Sequence, residues 1–389
     1  MLNRRLLRAK VMQTLYALEQ SEVSNYHHAQ DFIKETYAPD LNSMEVQDPK
    51  KLEGKRKLST LIFDNLYNDK EAEDGDDVDL LRTAQHAFGL YKKQMDKDYK
   101  FFSRQMMENT EALYDQYLHI LLFPIELAEY SIHEEEEQKN KLIKENIVLL
   151  NEQKFRDNII IQSLKNHKQL QEYKTRKNLH WSFDFIKQIY KTTLRPDEEY
   201  LNYLKKKERD FEDDKNIVLH ILKSIAFKGE LTKAYFEEAD LNWQENRSII
   251  KSLVLKTIKS IEKDKPEEIS LLDISNNWDE DKFFFQELLQ LYIENDKQLE
   301  GIVSEKTKNW DIERIATIDK IIIKMATCEM MNFPSIPVKV TINEYIELSK
   351  LYSTPKSKQF VNGFLDKISA DLTKAGLIRK SGRGLLDNK

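Results

Sequence analysis

The sequence predicts an all-α protein, and three features support that prediction. The 389 residues include only nine Gly and eight Pro, which are too few turn formers for a β-sandwich or barrel. Residues with high helix propensity, such as Leu, Lys and Glu, are abundant. Apolar residues recur with a helical period along most of the chain. The length allows one large domain or two to three smaller ones, each with its own core.

Charge is unevenly distributed along the chain. There are 61 basic and 67 acidic residues, which give a net charge of −6. Residues 1–18 and 310–389 each carry a net charge of +4, so residues 19–309 carry −14. If the two basic ends meet in space, they form a patch that attracts a polyanion. Solvated helix faces are the alternative explanation of such charge runs.

The sequence lacks the motifs of several classes of enzyme, metal-binding protein and membrane protein. A single cysteine, Cys328, excludes an intrachain disulfide and is expected to be a buried small hydrophobe among Ile and Met residues. There is no phosphate-binding glycine loop, HExxH motif or paired CxxC, so no catalytic residue, cofactor or metal site is predicted. No apolar run approaches the roughly 20 residues of a membrane span, and a cytoplasmic protein is expected.

The first helix is predicted from a capping residue and an apolar stripe. Asn3 can cap the helix, and Leu7, Val11, Leu15 and Leu18 recur on one face. We expect this stripe to pack on the C-terminal helices and to leave Arg5 and Arg8 accessible.

The next hundred residues contain two acidic segments. Asp69–Asp79 holds seven acids and predicts a solvated linker. A helical hairpin is predicted from Leu80 to His133, followed by the acidic run Glu134–Glu137. A solvated helix end explains that run better than mimicry of a nucleic acid.

An internal repeat with an offset of 67 residues is visible in the second half of the chain. The offset pairs Trp243 with Trp310 and Leu222 with Leu289, and the apolar runs that follow the two tryptophans are in phase. We expect the helices around Ile217–Ile258 to superpose on those around Phe284–Met325, with both tryptophans at equivalent core positions.

Two further helices are predicted near the C-terminus. Thr341 and Glu344 have the spacing of a capping box, so a helix is predicted to start there and to end at Ser353-Thr354-Pro355. Its inner face is expected to bury Ile346, Leu348 and Leu351. A last helix is predicted from Ser357, in which Asn362-Gly363 would mark a close approach of another helix.

Motifs at the two ends of the chain point to one family. They are the Arg-rich first helix with Leu15-Tyr16, the helix Asp311–Met325, the turn into a helix at Ile336–Glu344, and Phe-Val-Asn-Gly-Phe-Leu-Asp at Phe360–Asp366. In this order they resemble the NusB family of bacterial transcription antitermination factors. The long stretch between them is similar to the extended form of Bacteroidetes-type bacteria.

The resemblance implies a helical bundle of two subdomains that binds RNA without catalysis. It implies binding of a single-stranded, boxA-type element in ribosomal RNA leader transcripts together with a small ribosomal-subunit protein, which helps RNA polymerase to pass terminators. The residues that match RNA-binding positions of the family are Arg4, Arg5, Arg8, Tyr16 and Phe360. Asp319 matches an acidic position that faces the protein partner, and Lys356 replaces a common acid.

Several of these assignments have open alternatives. For Tyr16 and Phe360, packing in the core is as good an explanation as stacking on a base, and Asp319 is equally well explained as an exposed helix acid. A protein-interaction scaffold without RNA contact is the alternative function. A ribosomal RNA cytosine methyltransferase also carries this domain, but its Gly-rich cofactor turn is absent and Cys328 lies inside the family motif.

The predicted fold is therefore a NusB-type helical bundle with a long helical insertion that contains a duplicated helical unit. The predicted segments are the N-terminal bundle helix at 1–20, an insertion with acidic linker and helical hairpin at 21–145, a helical insertion that partly repeats the C-terminal unit at 146–277, the C-terminal bundle at 278–375, and a flexible basic tail at 376–389.

Overall fold

The protein is mainly helical in the part of the chain that the structure describes. A computed structural model describes residues 3–40, 42, 46–70, 77–142, 151–307 and 316–388. It is 79% helical, and none of these residues belongs to a β-strand. The predicted all-α class is confirmed.

Sixteen α-helices follow one another within the described ranges. They are α1 Arg4–Thr36, α2 Pro49–Tyr67, α3 Val78–Leu142, α4 Gln153–Arg156, α5 Ile159–Asn166, α6 Lys168–Lys177, α7 Phe183–Ile189, α8 Glu198–Lys205, α9 Phe211–His220, α10 Glu230–Ala239, α11 Trp243–Ser260, α12 Trp278–Glu294, α13 Asp296–Thr307, α14 Thr317–Asn332, α15 Val338–Tyr352 and α16 Ser357–Lys374. π-helical turns at Tyr190–Leu194 and Ile221–Ala226 extend α7 and α9.

The chain divides into two compact units. The first unit comprises Met1–Leu6 and Asn109–Asp279, and the second comprises Leu7–Glu108 and Glu280–Lys389. The boundary between them lies within α3. The predicted segment boundaries differ from these units, because α2 and the first part of α3 belong to the same unit as the C-terminal helices.

Helix α1 explains this difference. It runs for 33 residues, well beyond the predicted end at residue 20. Its C-terminal half forms a core cluster with α2 and α3, in which the buried residues are Ala29, Ile33, Tyr37, Phe63, Leu80, Ala84 and Ala87. Apolar residues of α1 therefore continue to be buried after the segment that resembles the family, and α2 and α3 are the helices that bury them.

The N-terminal half of α1 agrees with the sequence prediction. The Asn3 side chain accepts a hydrogen bond from the backbone N–H of Leu6 at 2.9 Å, which caps the helix. The predicted stripe is buried, with Leu7 and Val11 fully inaccessible and Leu15 and Leu18 at most 8% exposed.

Helix α3 replaces the predicted hairpin, which was wrong. It is continuous over 65 residues and holds Pro124 inside it. Between Leu80 and His133 the chain offers only Gly89 and Pro124 as breakers, and these are too far apart to form one turn. A single long helix is therefore the outcome.

The acidic run at the end of α3 is paired within the first unit, so its prediction as a solvated helix end was wrong. Glu134 is only 3% exposed and contacts Arg195 at 2.6 Å and Lys191 at 3.2 Å. Glu135 pairs with Arg156 at 2.5 Å. Basic residues later in the chain thus pair with Glu134, Glu135 and Glu137, whereas Glu136 is exposed.

The described helices are consistent with the 67-residue offset. Helices α9 and α12 begin 67 residues apart, at Phe211 and Trp278. Helix α13 starts one residue before the position that the offset predicts from α10. Leu222 and Leu289 are both buried. Trp310 lies outside the described residues, so the equivalence of the two tryptophans stays a prediction.

Helix α15 starts earlier than its sequence suggests. It begins at Val338, and Thr341 is buried inside it, so the predicted capping box was wrong. Ile346 and Leu348 are buried as expected, but Leu351 is 68% exposed. The start of the last helix at Ser357 is confirmed.

The expectation of a close helix approach at Gly363 was wrong, because a Cβ atom there would meet nothing within 4 Å. The tail forms a 3-10 helix at Gly382–Asn388, and its flexibility stays a prediction. The Ser381 N–H donates to Pro334 O at 3.0 Å, and Lys380 Nζ donates to Phe333 O at 2.9 Å. These bonds hold the tail against the connector between α14 and α15.

Candidate nucleic-acid interface

Arg8 lies in the core of the second unit rather than at its surface. It is 2% exposed, and its guanidinium donates from Nε and Nη2 to the two carboxylate oxygens of Glu329, both at 2.7 Å. Glu329 is fully buried. The prediction that Arg8 is accessible to RNA was wrong, because its guanidinium is buried and donates two hydrogen bonds to Glu329.

The Glu329 carboxylate is the centre of a small buried network. Thr341 Oγ1 donates to one oxygen at 2.8 Å and Tyr345 OH donates to the other at 3.1 Å. The Arg8 guanidinium also lies 5.2 Å from the ring centre of Phe284. Burial opposes the charged form of Arg8, but the adjacent Glu329 carboxylate outweighs it and raises the pKa of Arg8. Four helices, α1, α12, α14 and α15, meet at this ion pair.

Arg4 and Arg5 are half-buried in the first turn of α1. That turn contains no acidic residue. Two cationic side chains at a helix start are compatible with contact to phosphate, and the role of Arg4 and Arg5 in RNA binding stays a prediction.

Tyr16 has an accessible ring. Its side chain is 41% exposed on α1, one turn after the buried Met12. Tyr16 is therefore not a core residue, which was one of the two alternatives for it. An exposed tyrosine ring is free to stack on an unpaired base.

Phe360 lies at the start of α16 and is half-buried. Its ring centre is 5.6 Å from that of Phe364, and the exposed residues Lys356 and Lys358 precede it. The stripe that buries the helix is Val361, Leu365 and Ile368, all fully inaccessible, as the spacing predicts. Phe360 therefore combines one packed face with partial access from solvent.

Asp319 is not an exposed acid. It is 5% exposed in the first turn of α14, and its Oδ2 accepts a hydrogen bond from Ser357 Oγ at 2.6 Å. The alternative explanation as an exposed helix acid was wrong, because the side chain turns inward to the first residue of α16. Its role in binding a protein partner stays a prediction. Its position ties the starts of two helices together.

Glu329 and Thr341 are the residues that the sequence prediction missed. Glu329 lies in the mainly apolar segment Ile321–Met330, in which Lys324 is the only other charged residue. A carboxylate in the middle of a buried helix face needs a buried partner, and this signal pointed to a cation elsewhere in the chain. Thr341 was assigned to a helix cap because its spacing to Glu344 fits that role equally well.

A second ionic cluster lies about three turns further along α1. Lys324 is 3% exposed and pairs with Asp296 at 2.6 Å and with Glu300 at 3.2 Å. Glu19 of α1 is half-buried beside this lysine. Burial raises the pKa of Glu19 to about 7, although Lys324 and Lys320 act in the opposite direction.

We expect Glu19→Gln to change the pH dependence of stability. The folded-state pKa of about 7 lies above the ordinary value of 4.5, so wild-type stability falls as pH rises between these values. At pH 8 the variant should be more stable by roughly 1 to 2 kcal/mol, after allowance for the partial exposure of Glu19. At pH 4 it should match the wild type. Urea unfolding at both pH values measures the difference.

The control for this prediction is Glu35→Gln, which changes an exposed acid of the same helix. It should leave the pH dependence of the urea midpoint unchanged. Equal pH profiles for wild type and Glu19→Gln would contradict the raised pKa.

Cys328 is a buried hydrophobe, as predicted. It is fully inaccessible on α14, and burial raises the pKa of its thiol to about 12. Within the described ranges, no group of three or more His, Cys, Asp or Glu side chains is placed to hold a metal ion. The part of the chain described here also has no helix long and apolar enough to cross a membrane.

Comparison with known proteins identifies the C-terminal region. Residues 246–370 match the model of the NusB family. This region is therefore similar to the NusB family. The match begins in α11 and ends in α16, so it starts earlier than the predicted boundary at residue 278. It includes Glu329, Thr341, Tyr345 and Phe360.

Three curated relatives carry the name transcription antitermination protein NusB. The chain is 41% identical over 103 residues to the protein of Salinibacter ruber, 40% over 106 residues to that of Chloroherpeton thalassium and 41% over 86 residues to that of Syntrophotalea carbinolica. These alignments cover 26%, 27% and 22% of this chain and 64%, 50% and 55% of the relatives. The chain thus spans between half and just under two thirds of their length. No solved structure matches.

Proposed function

We propose that this chain is an RNA-binding transcription antitermination factor that acts without catalysis in the cytoplasm. Its RNA ligand is a single-stranded, boxA-type element of ribosomal RNA leader transcripts, and it acts with a small ribosomal-subunit protein and, indirectly, with RNA polymerase. The NusB-family match of residues 246–370 carries this proposal. The names of the curated relatives support transcription antitermination as the process.

The proposed RNA contacts divide into phosphate and base contacts. Arg4 and Arg5 supply positive charge for phosphates, while the rings of Tyr16 and Phe360 stack on bases. Lys356 and Lys358 lie next to Phe360 in sequence and are exposed, so they add positive charge near that ring. Arg8 contributes only indirectly, because its pair with Glu329 holds α1 in place.

The protein partner is proposed to meet the helices of the region that matches the NusB family. Asp319 contributes to this surface through Ser357 rather than by direct contact. Its hydrogen bond fixes the first turn of α16, the helix that presents Phe360. Asp319 is therefore a positioning residue in this proposal.

We expect Arg4→Glu/Arg5→Glu to weaken RNA binding and to flatten its salt dependence. Each lost contact to a single-stranded phosphate should reduce the slope of log affinity against log salt by about 0.7. Filter-binding titrations of a U-rich single-stranded RNA at several salt concentrations measure both quantities. Lys205→Glu/Lys207→Glu, which alters two exposed lysines of the first unit, is the matched control and should leave the slope unchanged.

Phe360→Ala tests the base contact in the same assay. It should lower RNA affinity by about 1 to 3 kcal/mol, with a smaller loss of stability than a fully buried ring would cause. An unchanged slope in the double arginine variant, together with normal RNA binding by Phe360→Ala, would place the RNA elsewhere on the protein.

A groove in the first unit favours a second candidate function, a protein-interaction scaffold without RNA contact. The groove has a volume of about 940 Å³, and the aromatic side chains Tyr114, Tyr173 and Trp278 contribute to its lining. Grooves of this size with aromatic walls are typical of binding sites. The same titration separates the two functions, because a scaffold would show no salt-sensitive affinity for single-stranded RNA.

A further inference from the structure

Four residues of α1 form an exposed stripe that begins within the segment that resembles the family and continues past it. Tyr16, Gln20, Val23 and His27 are spaced at i, i+4, i+7 and i+11, so they lie on one face of the helix. All four are exposed; the fractions are 41% for Tyr16 and 56% for Val23. We call this set the α1 stripe. It exists because α1 continues to Thr36.

The α1 stripe is free of carboxylates, although the chain has 67 acidic residues. Between Tyr16 and His27 the helix carries only Glu19 and Glu22. Glu19 borders the stripe, because it is three residues after Tyr16 and four before Val23, whereas Glu22 points to neighbouring helices. Glu22 accepts hydrogen bonds from Tyr67 OH and Tyr91 OH, each at 3.0 Å. Glu19 is half-buried beside Lys324. The four residues of the stripe therefore carry no negative charge of their own that would repel a polyanion.

Further charges near the stripe are already paired. The next acid along α1, Asp31, pairs with Lys34 at 2.6 Å. On the neighbouring helix α2, Asp64 accepts a hydrogen bond from Tyr26 OH at 2.6 Å. On α14, Lys320 pairs with Glu300 at 2.9 Å. The stripe itself is thus a neutral surface with a ring at each end.

The two rings suit unpaired bases. Eleven residues of α-helix separate Tyr16 from His27, which corresponds to about 16 Å along the axis. The His27 ring meets the ring of Tyr26 edge-on, with 5.7 Å between ring centres, and this contact restrains its orientation. Between the rings, Gln20 offers an amide that can donate to and accept from base edges. Single-stranded RNA uses both kinds of contact.

We propose that the α1 stripe extends the RNA-binding surface and that His27 is a second base platform. The inference rests on the proposed RNA-binding function and lengthens the RNA contact along α1 from Tyr16 to His27. The occupant is single-stranded RNA because stacking needs a base that is not in a duplex. A helix of a protein partner would need a continuous apolar stripe, and Val23 is the only aliphatic residue of this one.

The test compares three variants of the full chain. A fluorescently labelled, U-rich single-stranded RNA of about 20 nucleotides is titrated by anisotropy. His27→Ala should weaken binding by roughly five- to 150-fold, the loss expected for one stacked base. His27→Phe should retain most of the affinity, because it keeps the ring. His28→Ala is the matched control and should bind as the wild type, since His28 lines a separate groove with Gln94 and Asp98.

Photo-crosslinking tests direct contact between RNA and His27, because a residue with only a structural role would not crosslink to the RNA. The same RNA carrying 5-iodouridine should crosslink to Tyr16 and to His27, as localised by mass spectrometry. Equal urea midpoints for wild type and His27→Ala would show that the substitution acts on binding and not on folding.

The outcomes separate this inference from the proposed function. If Arg4→Glu/Arg5→Glu weakens RNA binding but His27→Ala does not, the stripe proposal is wrong and the proposed function stands. If His27→Phe binds as poorly as His27→Ala, stacking at His27 is wrong. If the wild type does not bind single-stranded RNA at all, the proposed function fails first.

Discussion

Arg8→Met is expected to lower the free energy of unfolding by about 3 to 5 kcal/mol. The substitution removes the partner of the fully buried Glu329 and leaves a carboxylate without a counter-ion in the core. Thr341 and Tyr345 still donate to it, but two neutral donors do not replace a bidentate guanidinium. Urea unfolding followed by far-UV circular dichroism measures the loss.

The matched variant is the double substitution Arg8→Met/Glu329→Leu. It removes both charges, so it should be clearly more stable than Arg8→Met, since apolar replacement of a buried pair is often neutral. Its remaining cost is the loss of an acceptor for Thr341 and Tyr345. If Arg8→Met had the same urea midpoint as the wild type, the ion pair between Arg8 and Glu329 would not form.

Trp243→Ala is expected to cost about 3 to 5 kcal/mol. Trp243 is 1% exposed at the start of α11, and its ring is stacked on Phe236 with 4.2 Å between ring centres. Removing it leaves a cavity between α10 and α11 that the neighbouring ring cannot fill. The shift of the urea midpoint, recorded by circular dichroism, checks this expectation.

Two other substitutions serve as controls for the loss of stability in Trp243→Ala. Trp243→Phe should cost much less, because it keeps a ring and removes an indole N–H that finds no hydrogen-bond partner within the described residues. Trp278→Ala changes the same residue type at the start of α12, where the side chain is only half-buried, and should also cost less. Equal losses at both tryptophans would mean that burial does not decide the effect.

The helix predictions that the structure confirms depend on local sequence patterns. The cap at Asn3, the buried stripe of α1 and the start of α16 at Ser357 depend on residues within one or two turns. Helical periodicity and capping chemistry act over that range, so a single sequence contains the information. The buried face of α16 was predicted for the same reason.

Pairing between distant charges was not predictable from one sequence. Arg8 and Asp319 look like surface residues when only their neighbours are considered, and both are buried by partners far away in the chain. Glu134 was assigned to a solvated run for the same reason. The identity of a partner depends on the packing of helices, and periodicity describes only which face of a helix is apolar.

The distance between Arg8 and Glu329 in sequence has a consequence for synthesis on the ribosome. These residues are 321 positions apart, so at about 5 to 20 residues per second the partner of Arg8 is made roughly 20 to 60 s after α1. During that interval the apolar side chains of α1 lack the helices α14 and α15. The first unit, most of which lies in Asn109–Asp279, is made within the same interval. We therefore expect nascent α1 to be the segment of this protein that most needs protection by chaperones.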